Sequence, residues 1–364
     1  MMSPSRRKYS ARAGGAERIG VGLVVAAGLA VIMIALGTLV LIAPSPVSPT
    51  PAAPGGSGAG GSQDPEPGGG AADRASTETI ERVLQSVQVY VAREEFKPAI
   101  TILQRAVGEH PEDPDLRYAL GDLHMRVEAW ASAYDQYAAG IAAEDAPGAE
   151  THFTAGTLAS EIGSYELSET HYEAASTADP ENPDYPLYLA NIRLKLNTLD
   201  EAAAAVALAG RLAPERAEVW VTWAHIAMRR NAIDSALDHI ARARELEPAV
   251  PEWARIEARL LKRRGSPGAA IEVLAALGET AQTAPATARV LAECYGMLDR
   301  PGAGAERVVA SARAHPEDAS IAFDAAVWLE RAGDRDGALG WARRARELGH
   351  ERADAWIDSL TERP

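Results

Sequence analysis

Ala217–Pro248 reads AEVWVTWAHIAMRRNAIDSALDHIARARELEP. Trp220, Trp223, Ala224 and Ala227 fall at helical spacing, Asn231 breaks the run, and Ile233, Ala236, Leu237, Ile240 and Ala243 form a second stripe that Pro248 ends. The stretch therefore predicts two helices joined by a short turn. Its small residues recur along most of the chain. Ala99, Ala133, Ser168, Ala202, Ala236, Ala270, Gly304 and Ala338 stand 34 residues apart, except for one step of 35. A second ladder runs Gly121, Gly156, Ala190, Ala224, Ala258, Ala292 and Ala326, and a third runs Ala106, Gly140, Ala175, Ala209 and Ala243, then Ser311 and Ala345. All three place the 35-residue step at the same point, so a single residue is inserted between Ala142 and Ala149. Prolines keep the same beat at Pro111, Pro180, Pro214, Pro248 and Pro316. Such a register defines a repeat protein, in which small residues mark close approach of helix backbones.

Leu120-Gly121, Tyr90, Trp220, Ala236, Ile240, Ala243 and Pro248 give the array its family character, and with them the chain resembles the tetratricopeptide repeat family. The resemblance covers about four-fifths of the chain. It implies an all-α fold, a right-handed α-solenoid of about eight helix-turn-helix repeats. They would begin near Ile80, Pro114, Ala149, Pro183, Ala217, Pro251, Pro285 and Ala319, filling residues 77–350, with a capping helix and tail in 351–364. Two periods depart from the pattern. One has Glu257, Pro267 and Leu277 at positions the family gives to other residues, and the next has Pro301 and Gly304. Helix boundaries are least defined there, and Pro251 to Ser311 is expected to be the weakest part of the array. Glu257 must turn outward or pair with an arginine, because an unpaired buried carboxylate costs several kcal/mol, roughly.

Upstream of the repeats, Ile19–Ala43 is IGVGLVVAAGLAVIMIALGTLVLIA, 25 residues without a charge. At about 1.5 Å per residue it exceeds a hydrocarbon core of roughly 30 Å. Residues 1–18 form a basic tail with Arg6, Arg7, Lys8, Arg12 and Arg18 against Glu17, and no basic residue follows the span until Arg74. This asymmetry predicts a signal anchor with a cytoplasmic amino terminus and repeats on the far side of a bacterial inner membrane, in the periplasm. A cleaved signal peptide is the competing reading. Against it stand the length of the apolar run and Pro44 directly after Ala43. Residues 44–76, rich in Pro, Gly, Ser and Ala, are expected to be a disordered linker reaching about 30 Å. Gly22, Ala26 and Ala30 make a small-residue stripe that would allow self-association, although composition alone also explains it.

Charge and chemistry narrow the function classes. The net charge is −15, and removing the basic tail leaves 31 basic and 50 acidic residues, a net of −19. Such a domain repels nucleic-acid phosphates, so no nucleic-acid partner is expected. Much of the acid sits at helix starts such as Asp113, Asp115 and Asp318, where capping and the helix dipole account for it. The lone Cys294 cannot form an intramolecular disulfide and falls at an inward site, as a buried thiol would. The eight histidines are scattered, and no metal, Walker or nucleophile motif is present. The reading is a non-enzyme without a cofactor.

In the resembled family the first helices line a concave groove that holds peptides. Transferred to this chain, the groove positions give Asn191, Lys195, His225, Arg229, Arg255, Arg259 and Arg263 as candidate binding residues, with Tyr118, Asp122, Phe153 and Thr157 at the amino-terminal end. Arg255 and Arg259 lie four residues apart, hence on one helix face. Guanidinium groups so placed suit an acidic protein or peptide segment, or an acidic glycan. The competing reading pairs them with Glu252, Glu257 and nearby acids. The function expected is a membrane-tethered scaffold or assembly factor. The alternative is a component of envelope polysaccharide assembly or export, or an accessory subunit of a glycosyltransferase.

Overall fold

The structure, a computed structural model, describes residues 69–362. The expected basic tail, the span Ile19–Ala43, its small-residue stripe and most of the linker lie outside the described residues. Every regular element among the described residues is an α-helix, and none of these helices is long and apolar enough to cross a membrane.

The helices alternate as first and second members of pairs. The first members are α1 (Gly69–Val91), α3 (Pro114–Arg126), α5 (Ala149–Glu161), α7 (Asp184–Leu196), α9 (Ala217–Arg229), α11 (Pro251–Arg263), α14 (Pro285–Met297) and α16 (Ala319–Arg331). Their partners are α2 (Phe96–Glu109), α4 (Trp130–Ala143), α6 (Tyr165–Ala178), α8 (Leu199–Leu212), α10 (Ile233–Leu246), α12 (Pro267–Ala275), α15 (Pro301–Ala314) and α17 (Arg335–Glu347). A short α13 (Glu279–Thr283) follows α12, and α18 (Ala353–Glu362) closes the array. Helices pack on their chain neighbours, except that α12 reaches past the short α13 to pack on α14, and first helices of adjacent repeats also touch, as α7 and α9 do. This is the solenoid that the 34-residue register predicts.

Small residues set the helix spacing. Ala99, Ala133, Ser168, Ala202, Ala236, Ala270 and Ala338 are fully buried. A Cβ on Gly121 would stand 2.7 Å from the Tyr137 ring, and one on Gly156 would stand 2.8 Å from Tyr172. Leu and Ile side chains fill the space between pairs, among them Leu116, Leu158, Leu187, Ile226, Ile240, Leu260, Leu291 and Ile321. Each contributes about 1.5–3 kcal/mol by leaving water.

Turns and ends follow local chemistry. Asp113 accepts a hydrogen bond from the Leu116 amide at 2.9 Å, and Asp318 accepts from the Ser320 and Ile321 amides at 2.9 and 3.1 Å. These acids cap α3 and α16, as their place in the sequence suggests. Between first and second helices one residue always has positive φ: Glu94, Glu128, Gly163, Asn197, Asn231, Gly265, Asp299 or Gly333.

Two boundaries differ from expectation. Helix α1 starts at Gly69, inside the expected linker, because Ala71, Ala72, Arg74 and Ala75 favour helix. In the period from Pro251 the second helix stops at Ala275 instead of running 14 residues. Leu277 stands where the pattern has a small residue, and Gly278 follows it. Gln282 Nε2 donates to the Ala275 and Leu277 carbonyls at 3.0 and 2.6 Å, satisfying the broken end. Pro267 and Pro301 sit in the first turn of their helices, where a missing amide hydrogen costs nothing. Glu257 is turned inward and meets Arg244 Nη1 at 2.6 Å. Cys294 is buried, and burial raises its thiol pKa to about 11.

Candidate functional site

Asn191, His225 and Arg259 occupy the same position on consecutive first helices α7, α9 and α11. Asn191 Oδ1 lies 3.3 Å from Thr222 Oγ1, whose single proton is closer to the Glu218 carbonyl at 2.8 Å. The imidazole of His225 is held below its ordinary pKa by burial, which the Glu252 carboxylate partly opposes. Glu252 forms an ion pair with Arg255 one turn along α11, and the Arg255 Nε is buried without a partner. Arg259, half-buried, makes no hydrogen bond or ion pair within the described residues.

The other three candidates do different work. Lys195 Nζ lies 3.3 Å from Ser160 Oγ and 4.7 Å above the Tyr165 ring. Burial lowers its pKa, with Glu161 opposing. Arg229 Nη2 donates to the Leu194 carbonyl at 2.9 Å, and Arg263 Nη2 donates to Asn231 Oδ1 at 2.6 Å. Each of the three reaches back to the preceding repeat near the end of its first helix, where exposed carbonyls and the helix dipole favour a cation. They stitch repeats together. The basic face expected from the sequence therefore narrows to Arg255 and Arg259, of which Arg255 is already paired. Farther along, Lys262 pairs with Glu293, and Arg289 Nε reaches Asp324 at 2.6 Å.

At the amino-terminal end the expected groove residues turn inward. Tyr137 donates to Asp122 Oδ1 at 2.6 Å, and Tyr172 shares a 3.0 Å hydrogen bond with Thr157 Oγ1. Burial raises the pKa of both phenols. Tyr118 donates to Glu144 Oε2 at 2.8 Å, and Phe153 packs edge-on against Tyr188 with centroids 4.9 Å apart. These aromatics hold the array together more than they line a surface.

The histidines are less scattered than the sequence suggests. His152 on α5 and His171 on α6 bring their Nδ1 atoms within 3.3 Å, and Tyr134 Oη lies 3.4 Å from His171 Nε2. Nineteen residues separate the two histidines. The signal was present in the hairpin itself, since antiparallel helices bring together residues at similar distances from their turn. Between the last two repeats, a cleft of about 410 Å³ is lined by Glu293, Gly296, Met297, Asp299, Pro301, Trp328 and Arg331.

Residues 84–149 and 153–217 match the tetratricopeptide repeat family model. No curated protein matches the chain. Among solved structures, yeast Tom70 aligns with a TM-score of 0.51 at 14% identity, over 74% of this chain and 59% of that one. A tetratricopeptide repeat protein from Parabacteroides merdae aligns with a TM-score of 0.48 at 12% identity, over 78% of this chain and all of that one. YrrB, described as a protein of this repeat type with an unusual peptide-binding site, gives 0.43 at 15% identity, over 48% and 93%. At 14% identity the likeness to Tom70 concerns the fold alone.

Proposed function

From a chain that carries tetratricopeptide repeats, we infer an interaction scaffold that holds a protein partner on its first-helix face, centred on Arg259. The observation that carries this reading is the state of the Arg259 guanidinium: half-buried, on the shared face, and without a partner among the described residues. Lys195, Arg229, Arg255 and Arg263 all have one. A free guanidinium offers five donors in a fixed fork, matched to a carboxylate. The ligand chemistry that fits is an acidic segment of a partner protein.

The finer part of the proposal is tethering. The uncharged run Ile19–Ala43 and the five basic residues before it support an anchor with the repeats outside the cytoplasm. Confinement near a bilayer raises the effective concentration of membrane partners, so a modest groove affinity suffices for assembly.

Crosslinking in native membranes followed by mass spectrometry tests both parts, comparing the wild type with Arg259→Glu at equal abundance. Because Arg259 makes no bond within the described residues, the variant should keep the wild-type melting temperature while losing a partner. Persistence of every partner in Arg259→Glu would move the search to the cleft at Trp328. Absence of the chain from the membrane fraction would remove the tether.

A further inference from the structure

We propose that His152 and His171 form a two-histidine site for a transition-metal ion of the zinc type, independent of the first-helix face. No cluster of three or more His, Cys, Asp or Glu with metal-binding geometry occurs among the described residues, so the protein supplies two ligands and water supplies the rest.

Geometry carries the argument. Two imidazole nitrogens at about 2.0–2.1 Å from a tetrahedral zinc ion stand about 3.3 Å from each other. That is the separation of His152 Nδ1 and His171 Nδ1. The two rings are tilted by 37° with centroids 5.6 Å apart, so the nitrogens approach edge to edge with the ring axes nearly in line, and both rings must swing for the two lone pairs to converge on one ion. Tyr134 provides the supporting contact. Its hydroxyl lies 3.4 Å from His171 Nε2, where it can accept the Nε2 hydrogen. That tautomer leaves the His171 Nδ1 lone pair directed at His152. Histidine ligands to metals commonly donate their second ring hydrogen in this way, which fixes the ring and its basicity.

Without metal, one proton must lie between the two Nδ1 atoms, carried by His152 and accepted by His171. On binding, this proton moves to His152 Nε2 through solvent, and both Nδ1 lone pairs bond to the ion. No redox change is involved. The metal competes only with one hydrogen bond, and the two nitrogens already stand at the separation it needs. Both imidazoles are also held below their ordinary pKa, chiefly by burial. For His152 the Glu144 carboxylate opposes this shift, and for His171 the charge of His152 adds to it. Neutral imidazoles are the form that ligates, and they favour zinc, copper and nickel over magnesium or calcium. An ion held between α5 and α6 would clamp the two helices of one repeat and stabilise it by mass action.

The test is titration of the full chain, free of any affinity tag, with Zn2+ against a chromophoric chelator, and with Mg2+ as the control ion. The wild type should take up one Zn2+ per chain in competition with the chelator and no Mg2+, while His152→Gln and His171→Gln should lose this uptake. Tyr134→Phe should bind Zn2+ about tenfold more weakly. Unaltered affinity in that variant would overturn the orienting role of Tyr134. Should a histidine variant fail to fold by circular dichroism, the wild type decides alone. In 15N spectra of its side chains, one equivalent of Zn2+ should shift the ring-nitrogen resonances of His152, with its Nε2 becoming protonated, and those of His171, and of no other histidine. The site is overturned by a wild type that takes up no Zn2+, by equal uptake in both histidine variants, or by shifts at other histidines.

Discussion

Glu257 replaces a small or apolar residue in a helix packed on both sides, and its carboxyl ends mostly buried beside Arg244. Burial raises its pKa, and the Arg244 guanidinium only partly opposes the shift. The pair is at ion-pair distance, yet Oε2 lacks an aligned hydrogen bond. Between the ordinary carboxylate value and the raised folded value, the native chain keeps a proton that the unfolded chain has lost. Stability therefore falls as pH rises through that window. Glu257→Gln removes the titration while leaving Arg244, one-third exposed, able to turn to water. Its melting temperature should match that of the wild type near pH 4, in acid, and exceed it at neutral pH. A difference that stays constant across this range in paired thermal scans would mean that Arg244 compensates the charge completely. The sequence foresaw two outcomes for this residue, and the partner came from the preceding second helix α10, a contact that no spacing along α11 reveals.

At the scale of elements, the turn between paired helices imposes one backbone demand eight times, and the sequence meets it unevenly. Gly163, Gly265 and Gly333 adopt positive φ freely, Asn197, Asn231 and Asp299 tolerate it, and Glu94 and Glu128 are held at φ 58°. Glu128→Gly should therefore stabilise the chain by about 1 kcal/mol, and Gly265→Ala should destabilise it by a similar amount. Neither position has a close side-chain neighbour to confuse the result: a Cβ on Gly265 meets nothing within 4 Å, and Glu128 is exposed. Equal denaturation midpoints in urea for all three proteins would show that the turns adjust without cost. The same turns explain why helix limits were legible from sequence. Seven first helices start within one residue of the predicted frame, because prolines, capping acids and buried alanines repeat with it. Legibility failed at α12, where Leu277 displaces a small residue and the chain finds a new end through Gln282. It failed again among the groove candidates. Periodicity placed Lys195, Arg229 and Arg263 on the right helices but could not tell a free cation from one bonded to the repeat before it.

For the whole array, stability is a sum of repeats and their interfaces, so local defects are not averaged over one shared core. Helix α10 buries Ala236, Leu237, Ile240 and Ala243, and α8 buries Ala202, Ala205, Val206 and Ala209. By contrast α12 buries only Ala270 and Leu274, and α13 buries nothing. Fewer apolar contacts and a helix interrupted after nine residues lower the free energy needed to open this segment, whereas the flanking first helices α11 and α14 remain well packed through Leu260, Leu261, Val290 and Leu291. Amides from Gly268 to Thr283 should therefore exchange with deuterium well ahead of those in Ile233–Leu246, while α11 and α14 stay protected. Mass-spectrometric hydrogen exchange on the full chain reads this directly. Uniform protection across α10 to α15 would mean that neighbouring repeats carry the short helix cooperatively, and that the divergent periods are no hinge at all. Early exchange confined to Gly268–Thr283 would mark a compliant joint between the part of the array bearing Arg259 and the part bearing Trp328. A partner bridging both would then have to order that joint as it binds, at a cost in affinity that neither half shows alone.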